Sequence, residues 1–403
     1  MNLENKKNKG ELIVTAVPVI SGTTTGVLQL KLSARDLKKM KTFGKADPFF
    51  MIRRYLTNGA EQAVYTSEII KKQLNPSWRQ TPFLDMEDLC GCDAGNRCLT
   101  IVCCSGEAKK VIGETDPLTA DELCQCRPGK EMELRVRDGK KREVCQGTLI
   151  IQEARFTPTV SFLGHLQAGL EINIAFSIDF TGSNGDWRKP NSLHYHDPQR
   201  PNDYLQAMLA VSNVVQEYDT DRQFPAFGFG AVTPFTRGTS HFFPLNGNAQ
   251  NAYCNGMQEV IDTYARLLPQ LQFSGPTNFA PTIRNVCEGA RHAPRVYTIL
   301  LILTDGAITD MQDTIDAIVD ADDAPLSIVI IGIGNANFSS MVRLDGDEEP
   351  LQHKDGRITR RDLVQFVPFN EFRARGPEQL AAEVLYEIPK QVEVWGRLNN
   401  IQY

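Results

Sequence analysis

The first part of the chain, from residue 10 to about residue 156, consists of short apolar segments separated by turn residues. Strand-like segments rich in β-branched and aromatic residues occupy positions 12–17, 27–32, 49–55 and 99–104. Thr57-Asn58-Gly59 follows the third segment and is typical of a hairpin turn, because Asn-Gly tolerates positive φ angles. Several strands at this spacing predict an antiparallel all-β sandwich.

The pattern changes after residues 155–159, where Pro158 interrupts the strand spacing. Continuous apolar runs at 170–176, 296–302 and 326–334 predict strands that are buried on both faces. Segments with helical spacing alternate with strands, at 202–218, 257–271, 277–287, 310–321 and 377–395, and shorter strands are expected at 224–231 and 362–369. This alternation predicts a doubly wound α/β fold, with a parallel sheet that is covered on both faces. We therefore divide the chain into a linker or disordered N-terminus (1–9), an all-β domain (10–156) and an α/β domain (160–403).

Oxygen-bearing side chains stand where the buried strands of the second domain end. Asp179, Thr181 and Ser183 are spaced at i, i+2 and i+4 directly after one strand, and Asp305 ends another. Thr277 lies in a loop between them. Open parallel sheets bind ligands at the carboxyl ends of their strands, and such oxygens suit a hard cation. The pattern indicates a Mg²⁺ or Mn²⁺ site formed by these five residues.

Each part of this pattern also has an ordinary structural explanation. Polar triplets such as Asp179-x-Thr181-x-Ser183 are frequent in turns. A hydroxyl in the position of Thr277 can cap the N-terminus of the helix that it is expected to begin. The combination of all three elements, rather than any one of them, favours the metal site.

The combination resembles the metal-ion-dependent adhesion site of von Willebrand factor A domains. The surrounding segments DFTGSNGD (179–186), FPAFGFGA (224–231), GPTNF (275–279) and QFVPF (365–369) resemble the copine subtype. The resemblance covers residues from about 160 to the end of the chain. It implies that Ser183, Thr181 and Thr277 bind the metal directly and that Asp179 and Asp305 hold waters or enter the coordination shell. A carboxylate of a partner protein would complete the shell.

The first domain resembles a C2 domain in three segments. The segment GKADPF (44–49) is similar to the first calcium loop of C2 domains, and LNPSW (74–78) is similar to their Asn-Pro-x-Trp corner. The segment VIGE (111–114) is similar to the one after their third calcium loop. This resemblance implies that Trp78 lies in the core and that Asn75-Pro76 forms a turn.

Calcium binding by this domain is doubtful, because Ca²⁺ takes six to eight oxygens and needs several carboxylates. Asp47 matches a calcium ligand of C2 domains, but Lys41 stands six residues before it where an aspartate is expected. The other loop, 102–110, contains no aspartate, and Lys110 falls at the position of the last calcium ligand. We expect Asp47 to order its loop as a turn residue instead.

The same loops carry lysines that would suit an anionic phospholipid membrane. Near such a membrane each contributes about 1 kcal/mol of attraction. A solvated rim of the loops is the equally acceptable alternative. The lysines are Lys38, Lys39, Lys41, Lys45, Lys109 and Lys110.

Composition limits the cellular role. The net charge of −6 and the pI near 5.7 argue against a nucleic-acid partner. No apolar run approaches the length needed to span a bilayer, and residues 1–9 lack the apolar core of a signal peptide. We expect a cytoplasmic protein that reaches the plasma membrane reversibly. Copines typically carry two C2 domains and bind phospholipid in response to calcium, whereas this sequence leaves room for only one C2 domain, so it is either truncated or a shortened member.

Two further sets of side chains are candidate ligands. Eight cysteines lie between Cys90 and Cys145, but their spacing does not match zinc sites, and we expect reduced thiols. His194 and His196 form an alternating pair in a loop flanked by prolines, which we expect at the surface rather than at a metal.

An enzyme is the main alternative to a binding protein. A metal-dependent hydrolase or phosphotransferase would use water or substrate activated at the same site. The chain lacks a phosphate-binding P-loop, a Gly-x-Ser-x-Gly elbow and a His-Glu-x-x-His helix. No general base lies near the Asp179–Ser183 segment in sequence. We therefore expect an adaptor without catalytic residues, which binds phospholipid and a partner protein.

Overall fold

A computed structural model of the protein describes residues 25–40, 46–91, 93–106, 109–137, 143–195, 200–215, 221–306, 308–346, 349–373 and 375–401. The chain divides into two compact units, Met1–Thr159 and Val160–Tyr403. Among the described helices, none is both long and apolar enough to cross a membrane. The strand expected at 12–17 lies outside the described residues.

The first unit is built from antiparallel strands, as its short apolar segments and the turn residues between them predict. The strands are β1 (Gly26–Arg35), β2 (Pro48–Tyr55), β3 (Glu61–Thr66), β4 (Leu84–Asp85), β5 (Leu99–Ser105), β6 (Lys110–Glu114), β7 (Lys130–Arg137) and β8 (Glu143–Pro158). Two short helices join them, α1 (Met86–Cys90) and α2 (Ala120–Cys124). Hydrogen bonding connects the strands in the order β3-β2-β5-β6-β7-β8-β1-β4.

Strands from both halves of this order contribute to one core. Leu30 of β1 and Leu149 of β8 pack in the same cluster as Phe50 of β2 and Ile101 of β5. The expected core position of Trp78 is confirmed, since its side chain is 1% exposed and its indole N–H donates to the carbonyl of Pro48 at 3.3 Å. The all-β antiparallel fold predicted for this part of the chain is therefore confirmed.

The second unit alternates strands and helices. Its strands are β9 (Glu171–Asp179), β10 (Gln223–Phe229), β11 (Ala231–Val232), β12 (Thr239–Ser240), β13 (Phe243–Pro244), β14 (Tyr253–Asn255), β15 (Gln272–Phe273), β16 (Val296–Thr304), β17 (Leu326–Gly332) and β18 (Val364–Pro368). Its helices are α3 (Phe162–Gln167), α4 (Asp203–Val215), α5 (Gly256–Leu267), α6 (Ala280–Arg291), α7 (Met311–Asp320), α8 (Ser339–Asp345), α9 (Phe369–Arg373), α10 (Pro377–Leu385) and α11 (Ile388–Leu398). Single 3-10 turns occupy Gly182–Asn184 and Leu268–Gln270.

The main sheet of this unit has the order β13-β10-β9-β16-β17-β18, and β9, β10, β16, β17 and β18 run parallel. Alternate residues of β16 enter different cores, with Leu301 on one face and Leu300 on the other. Helices α4, α5, α10 and α11 contribute to the first core, and α6, α7 and α8 to the second. The sheet is thus covered on both faces, and the predicted α/β fold is confirmed.

Several helix boundaries differ from the sequence prediction: the helix expected at 257–271 ends at Leu267, and the one expected at 277–287 extends to Arg291. The single helix expected at 377–395 is divided into α10 and α11, with Pro389 in the first turn of the second. Pro389 has no backbone N–H and favours a new helix start over continuation. The helix expected to begin at Thr277 begins at Ala280 instead.

Candidate metal centre

The predicted metal ligands lie at one edge of the main sheet. β9 and β16 are neighbouring parallel strands, and Ile178 is paired with Leu303 near their carboxyl ends. Asp179 is the last residue of β9, and Asp305 directly follows β16. The register of two buried strands therefore places both carboxylates at the same edge, although they are far apart in sequence.

Hydrogen bonds join the five predicted side chains in one cluster. The Thr181 hydroxyl donates to Oδ1 of Asp179 at 2.6 Å and lies 2.9 Å from the Ser183 hydroxyl. The Ser183 hydroxyl donates to Oδ1 of Asp305 at 2.8 Å. The Thr277 hydroxyl donates to the Thr181 hydroxyl at 3.4 Å. Oxygens from three separate loops thus meet within hydrogen-bonding distance of one another.

Thr277 does not cap a helix, which was its alternative role. It lies three residues before α6, and the carboxylate of Asp310 takes the capping position. Asp310 accepts hydrogen bonds from the backbone N–H groups of Phe279 and Ala280, at 3.1 and 3.0 Å. Since these amides are satisfied by another residue, the Thr277 hydroxyl remains directed at Thr181.

The electrostatics of the cluster favour a bound cation. Burial raises the pKa of Asp179, although hydrogen bonds from Thr181 and Thr304 oppose this shift. Burial, and then the nearby Asp179, raise the pKa of Asp305 to about 7. Two carboxylates that repel each other in a site of low dielectric would be stabilised by a positive ion between them.

The chemical types of the donors fit a hard divalent ion. The cluster supplies two carboxylates and three hydroxyls, which are the oxygen ligands that Mg²⁺ and Mn²⁺ accept. No group of three or more His, Cys, Asp or Glu side chains suited to a metal occurs among the residues that the structure describes. A metal ion bound here would need the hydroxyls of Thr181, Ser183 and Thr277, because the two carboxylates alone are too few.

Thr304, which is not among the predicted ligands, also holds the cluster. The Thr304 hydroxyl donates to Oδ2 of Asp179 at 2.6 Å, so that both carboxylate oxygens of Asp179 have a donor. The sequence places Thr304 beside Asp305 after an apolar run, but only Asp305 is predicted as a ligand there. The position of Thr304 on the strand directly before Asp305 was the one available signal.

The expectation that His194 lies at the surface is wrong. Its side chain is fully buried, and its ring nitrogens lie 2.8 Å from the carbonyl oxygen of Asp179 and 2.7 Å from the hydroxyl of Tyr264. Burial lowers the pKa of His194 to about 3, so the ring is neutral at physiological pH. Tyr204 and Phe180 stack on its two sides, and this aromatic environment explains why the loop folds inwards. His196 lies outside the described residues.

The first unit brings three lysine-bearing segments to one end. The N–H of Leu37 donates to the carbonyl of Leu74 at 3.1 Å, and the N–H of Gly106 donates to the carbonyl of Asp47 at 3.0 Å. These bonds link residues 36–40 and 46–47 with residues 67–74, 105–106 and 109–110. We name this the lysine end. Its exposed lysines are Lys38, Lys39, Lys71, Lys72, Lys109 and Lys110. Lys41 and Lys45, which were predicted to belong to it, lie outside the described residues.

Asp47 orders the lysine end through its hydrogen bonds. Its carboxylate accepts from the backbone N–H of Lys72 at 2.8 Å, and its own N–H donates to the Ser105 hydroxyl at 3.0 Å. These contacts agree with the role of a loop-ordering residue. No disulfide joins any two of the nine cysteines that the structure describes.

Two family models match the chain. A model described as Copine matches residues 192–403, which is more than half of the 403 residues, and a model described as C2 domain matches residues 26–122. Thr277 and Asp305 lie within the first match. Asp179, Thr181 and Ser183 precede it.

Several solved structures are similar at low identity. BON1-C2B is 19% identical and covers 34% of this chain and 94% of that chain, with a TM-score of 0.29. The manganese-loaded TRAP protein of Plasmodium vivax is 12% identical and covers 56% of this chain and 74% of that chain, with a TM-score of 0.33. Proximal thread matrix protein 1 from the mussel byssus, with a zinc-occupied MIDAS motif, is 15% identical and covers 53% and 48%, with a TM-score of 0.33.

Proposed function

The chain belongs to the copine family, and on that basis we propose that it is a membrane-associated adaptor. Its C2 domain binds anionic phospholipid, and its copine domain binds a partner protein through a divalent ion. The protein works in the cytoplasm and associates reversibly with the plasma membrane. It has no catalytic role in this proposal.

The convergence of five oxygen-bearing side chains at the carboxyl edge of the sheet carries the proposal. Asp179, Thr181, Ser183, Thr277 and Asp305 come from three loops and form one hydrogen-bonded cluster. A bound Mg²⁺ or Mn²⁺ would supply an electrophilic centre with a coordination position for a carboxylate of the partner. Hydroxyl ligands support this role, because they leave the positive charge of the ion less neutralised than carboxylates would.

The lysine end supports the membrane part of the proposal. Lys38, Lys39, Lys109 and Lys110 are exposed there, and each would contribute about 1 kcal/mol near an anionic surface. We propose that this contact does not need Ca²⁺. The carboxylate of Asp47 is already engaged by the N–H of Lys72, and the ammonium groups of nearby lysines would repel a cation.

An enzymatic use of the same site receives no support from its surroundings. A general base must lie within hydrogen-bond reach of the proton that it removes. His194 is the imidazole nearest the cluster in the part of the chain that the structure describes, and both of its nitrogens are engaged by Asp179 and Tyr264. It is therefore a structural group rather than a base.

Vesicle co-sedimentation tests the membrane part. We expect binding to phosphatidylserine vesicles that is equal in Ca²⁺ and in EGTA and is weak on phosphatidylcholine alone. Binding should fall as NaCl rises from about 0.1 M to about 1 M, because the Debye length shortens from about 10 Å to about 3 Å. Binding that appears only with Ca²⁺ would contradict the proposal.

A pair of matched variants locates the contact. The double change Lys109→Glu with Lys110→Glu should abolish most of the binding. The control, Lys31→Glu with Lys130→Glu, makes the same change in net charge at exposed positions on β1 and β7, outside the three segments of the lysine end. The control should retain most of the binding. Equal losses in both double variants would show that net charge alone, and not the lysine end, determines the contact.

A further inference from the structure

We infer that His194 is a positioning residue for the metal site, because it fixes the backbone from which Asp179 and Thr181 reach the ion. This inference rests on the proposed function. His194 lies in the loop after the Asp179–Ser183 segment, and neither of the family resemblances assigns it a role.

The ring of His194 is held in one orientation. It stacks on Tyr204 with ring centroids 4.1 Å apart and an interplanar angle of 12°, and on Phe180 at 5.1 Å and 19°. All three side chains are fully buried. A packed ring of this kind cannot turn without displacing its neighbours, so its two nitrogens keep fixed directions.

The hydrogen bonds define the tautomer of His194. Nε2 faces the backbone carbonyl of Asp179 at 2.8 Å, and because a carbonyl only accepts, Nε2 carries the hydrogen. In the neutral ring Nδ1 then accepts from the Tyr264 hydroxyl at 2.7 Å. The Tyr264 oxygen accepts in turn from the amide of Asn202 at 3.1 Å. The amide orientation is fixed, since its carbonyl oxygen accepts from the N–H of Leu205 at 3.0 Å.

This chain of hydrogen bonds connects three parts of the fold to the Asp179–Ser183 segment, which we call the metal loop. Asn202 precedes α4, Tyr264 belongs to α5, and His194 delivers the last hydrogen bond to the end of β9. Every donor in it has an acceptor, and every acceptor has a donor. Such fully satisfied buried networks hold a single arrangement, because any alternative leaves a buried polar group unpaired.

A second chain reaches the same carbonyl. The Tyr204 hydroxyl donates to the side-chain oxygen of Asn184 at 2.7 Å, and the Asn184 amide donates to the carbonyl oxygens of Asp179 and Thr181, each at 3.3 Å. The N–H of Phe180, in the same peptide unit as the Asp179 carbonyl, donates to the carbonyl of Phe229 at 2.9 Å. Both ends of the peptide unit between Asp179 and Phe180 are therefore held.

Fixing this peptide unit fixes the metal ligands on either side of it. The Asp179 carboxylate is directed by the preceding backbone, and it accepts from both the N–H and the hydroxyl of Thr181. Without the bond from His194, the Asp179 carbonyl keeps only the longer bond of 3.3 Å from Asn184, so the peptide unit is held less firmly and the ligand oxygens are placed less precisely. Groups that orient metal ligands in this way typically contribute about 10-fold to 100-fold to metal affinity.

Mn²⁺ affinity, measured by isothermal titration and by electron paramagnetic resonance, tests the inference. We expect His194→Phe, which keeps a stacking ring but removes both hydrogen bonds, to raise the Kd for Mn²⁺ at least about tenfold. His194→Gln, whose amide can donate towards the same carbonyl, should recover part of the affinity. Tyr264→Phe provides a second variant should His194→Phe not fold, and it should also raise the Kd.

Tyr297→Phe is the matched control. It removes one buried hydroxyl from the same domain, where Tyr297 bonds to Ser327, the carbonyl of Leu326 and the guanidinium of Arg361 rather than to the metal loop. It should lower thermal stability as Tyr264→Phe does while leaving the Kd unchanged. Equal Kd values for the wild-type protein, Tyr264→Phe and a folded His194→Phe would overturn the role of His194. Absence of Mn²⁺ binding to the wild-type protein would instead overturn the proposed function, and this inference with it.

Discussion

The hydroxyl of Ser183 donates a hydrogen bond of 2.8 Å to Oδ1 of Asp305, and this bond joins the ends of two neighbouring strands. Ser183 follows β9 and Asp305 follows β16. The two residues are 122 positions apart in the chain. Their contact places a hydroxyl of the loop after β9 against the carboxylate that follows β16, as the proposed shared ion would require.

Asp305→Asn should have opposite effects with and without metal. The pKa of Asp305 is raised to about 7, so at pH 8 the metal-free protein holds this carboxylate charged at a cost. Each unit of pKa corresponds to about 1.4 kcal/mol, and we expect the metal-free variant to be more stable by roughly one to a few kcal/mol. Calorimetry in EDTA at pH 8 measures this difference.

The same variant should lose its response to Mg²⁺. For the wild-type protein, ion at a hundredfold excess over its Kd should raise stability by about 2.7 kcal/mol. Asp323→Asn, at a half-exposed carboxylate that pairs with Arg291, is the control and should keep that response. A full Mg²⁺ response in Asp305→Asn would mean that the ion does not bind at this cluster.

Thr304→Val should weaken the site although Thr304 is not a predicted ligand. The change keeps the shape of the side chain and removes the donor to Oδ2 of Asp179. The buried carboxylate of Asp179 then loses one of its hydrogen bonds, which costs about 1–3 kcal/mol. Chemical denaturation in EDTA measures this cost. Thr298→Val, at another buried position on β16, should cost less, and equal costs would show that the bond to Asp179 is unimportant.

Gly230→Ala should disturb the Asp179–Ser183 segment through a contact with Thr181. Gly230 has a φ angle of +80°, and a Cβ atom there would lie 2.3 Å from Cγ2 of Thr181 and 3.1 Å from its backbone nitrogen. The strained backbone costs about 1–3 kcal/mol, and the contact would displace Thr181. Gly238→Ala is the control, since no heavy atom lies within 4 Å of its Cβ position. Thermal unfolding of both variants with and without Mg²⁺ measures the effect, and equal behaviour of the two would contradict it.

His165 should make the stability of the second domain depend on pH. The side chain is 1% exposed, and burial lowers the pKa of the folded state below the ordinary value of about 6.5. The unfolded chain therefore takes up a proton that the folded chain does not. This contribution to stability is complete above about pH 6.5 and decreases as the pH falls towards the folded pKa, by at most about 1.4 kcal/mol per pH unit.

His165→Gln should remove that part of the pH dependence. We expect the difference in unfolding free energy between His165→Gln and the wild-type protein to shift in favour of the variant between about pH 6.5 and pH 5. His292→Gln is the control for the removal of an exposed histidine. A constant difference between His165→Gln and the wild-type protein over this range would contradict the effect.

The sequence predicts much of the fold because the two domains differ in their apolar patterns. Short apolar segments separated by turn residues mark the first, and continuous apolar runs that alternate with helical spacing mark the second. β9 and β16 are continuous apolar runs, and Asp179 and Asp305 follow them directly, so both their burial and their common edge can be predicted. The division between α10 and α11 is harder to predict, because helical spacing continues across the junction. Pro389, which lies in the first turn of α11, is the one residue that indicates it.

The support beneath the metal loop is beyond sequence reasoning for a different reason. His194 is surrounded in sequence by polar residues and prolines, which are typical of a surface loop. Its burial depends on Tyr204 of α4 and Tyr264 of α5, whose positions follow from the packing of two helices on the sheet. Thr304 is similar, since its role depends on the register between β16 and β9.

Titration of the metal-free protein with Mn²⁺, in parallel with its Thr277→Val variant, tests the central claim most directly. Thr277 is distant in sequence from the other ligands, and valine keeps its shape while removing only the oxygen. We predict one Mn²⁺ per chain for the wild-type protein and at least about tenfold weaker binding for Thr277→Val. Binding of equal strength in both proteins, or no binding in either, would contradict a divalent ion held by Asp179, Thr181, Ser183, Thr277 and Asp305.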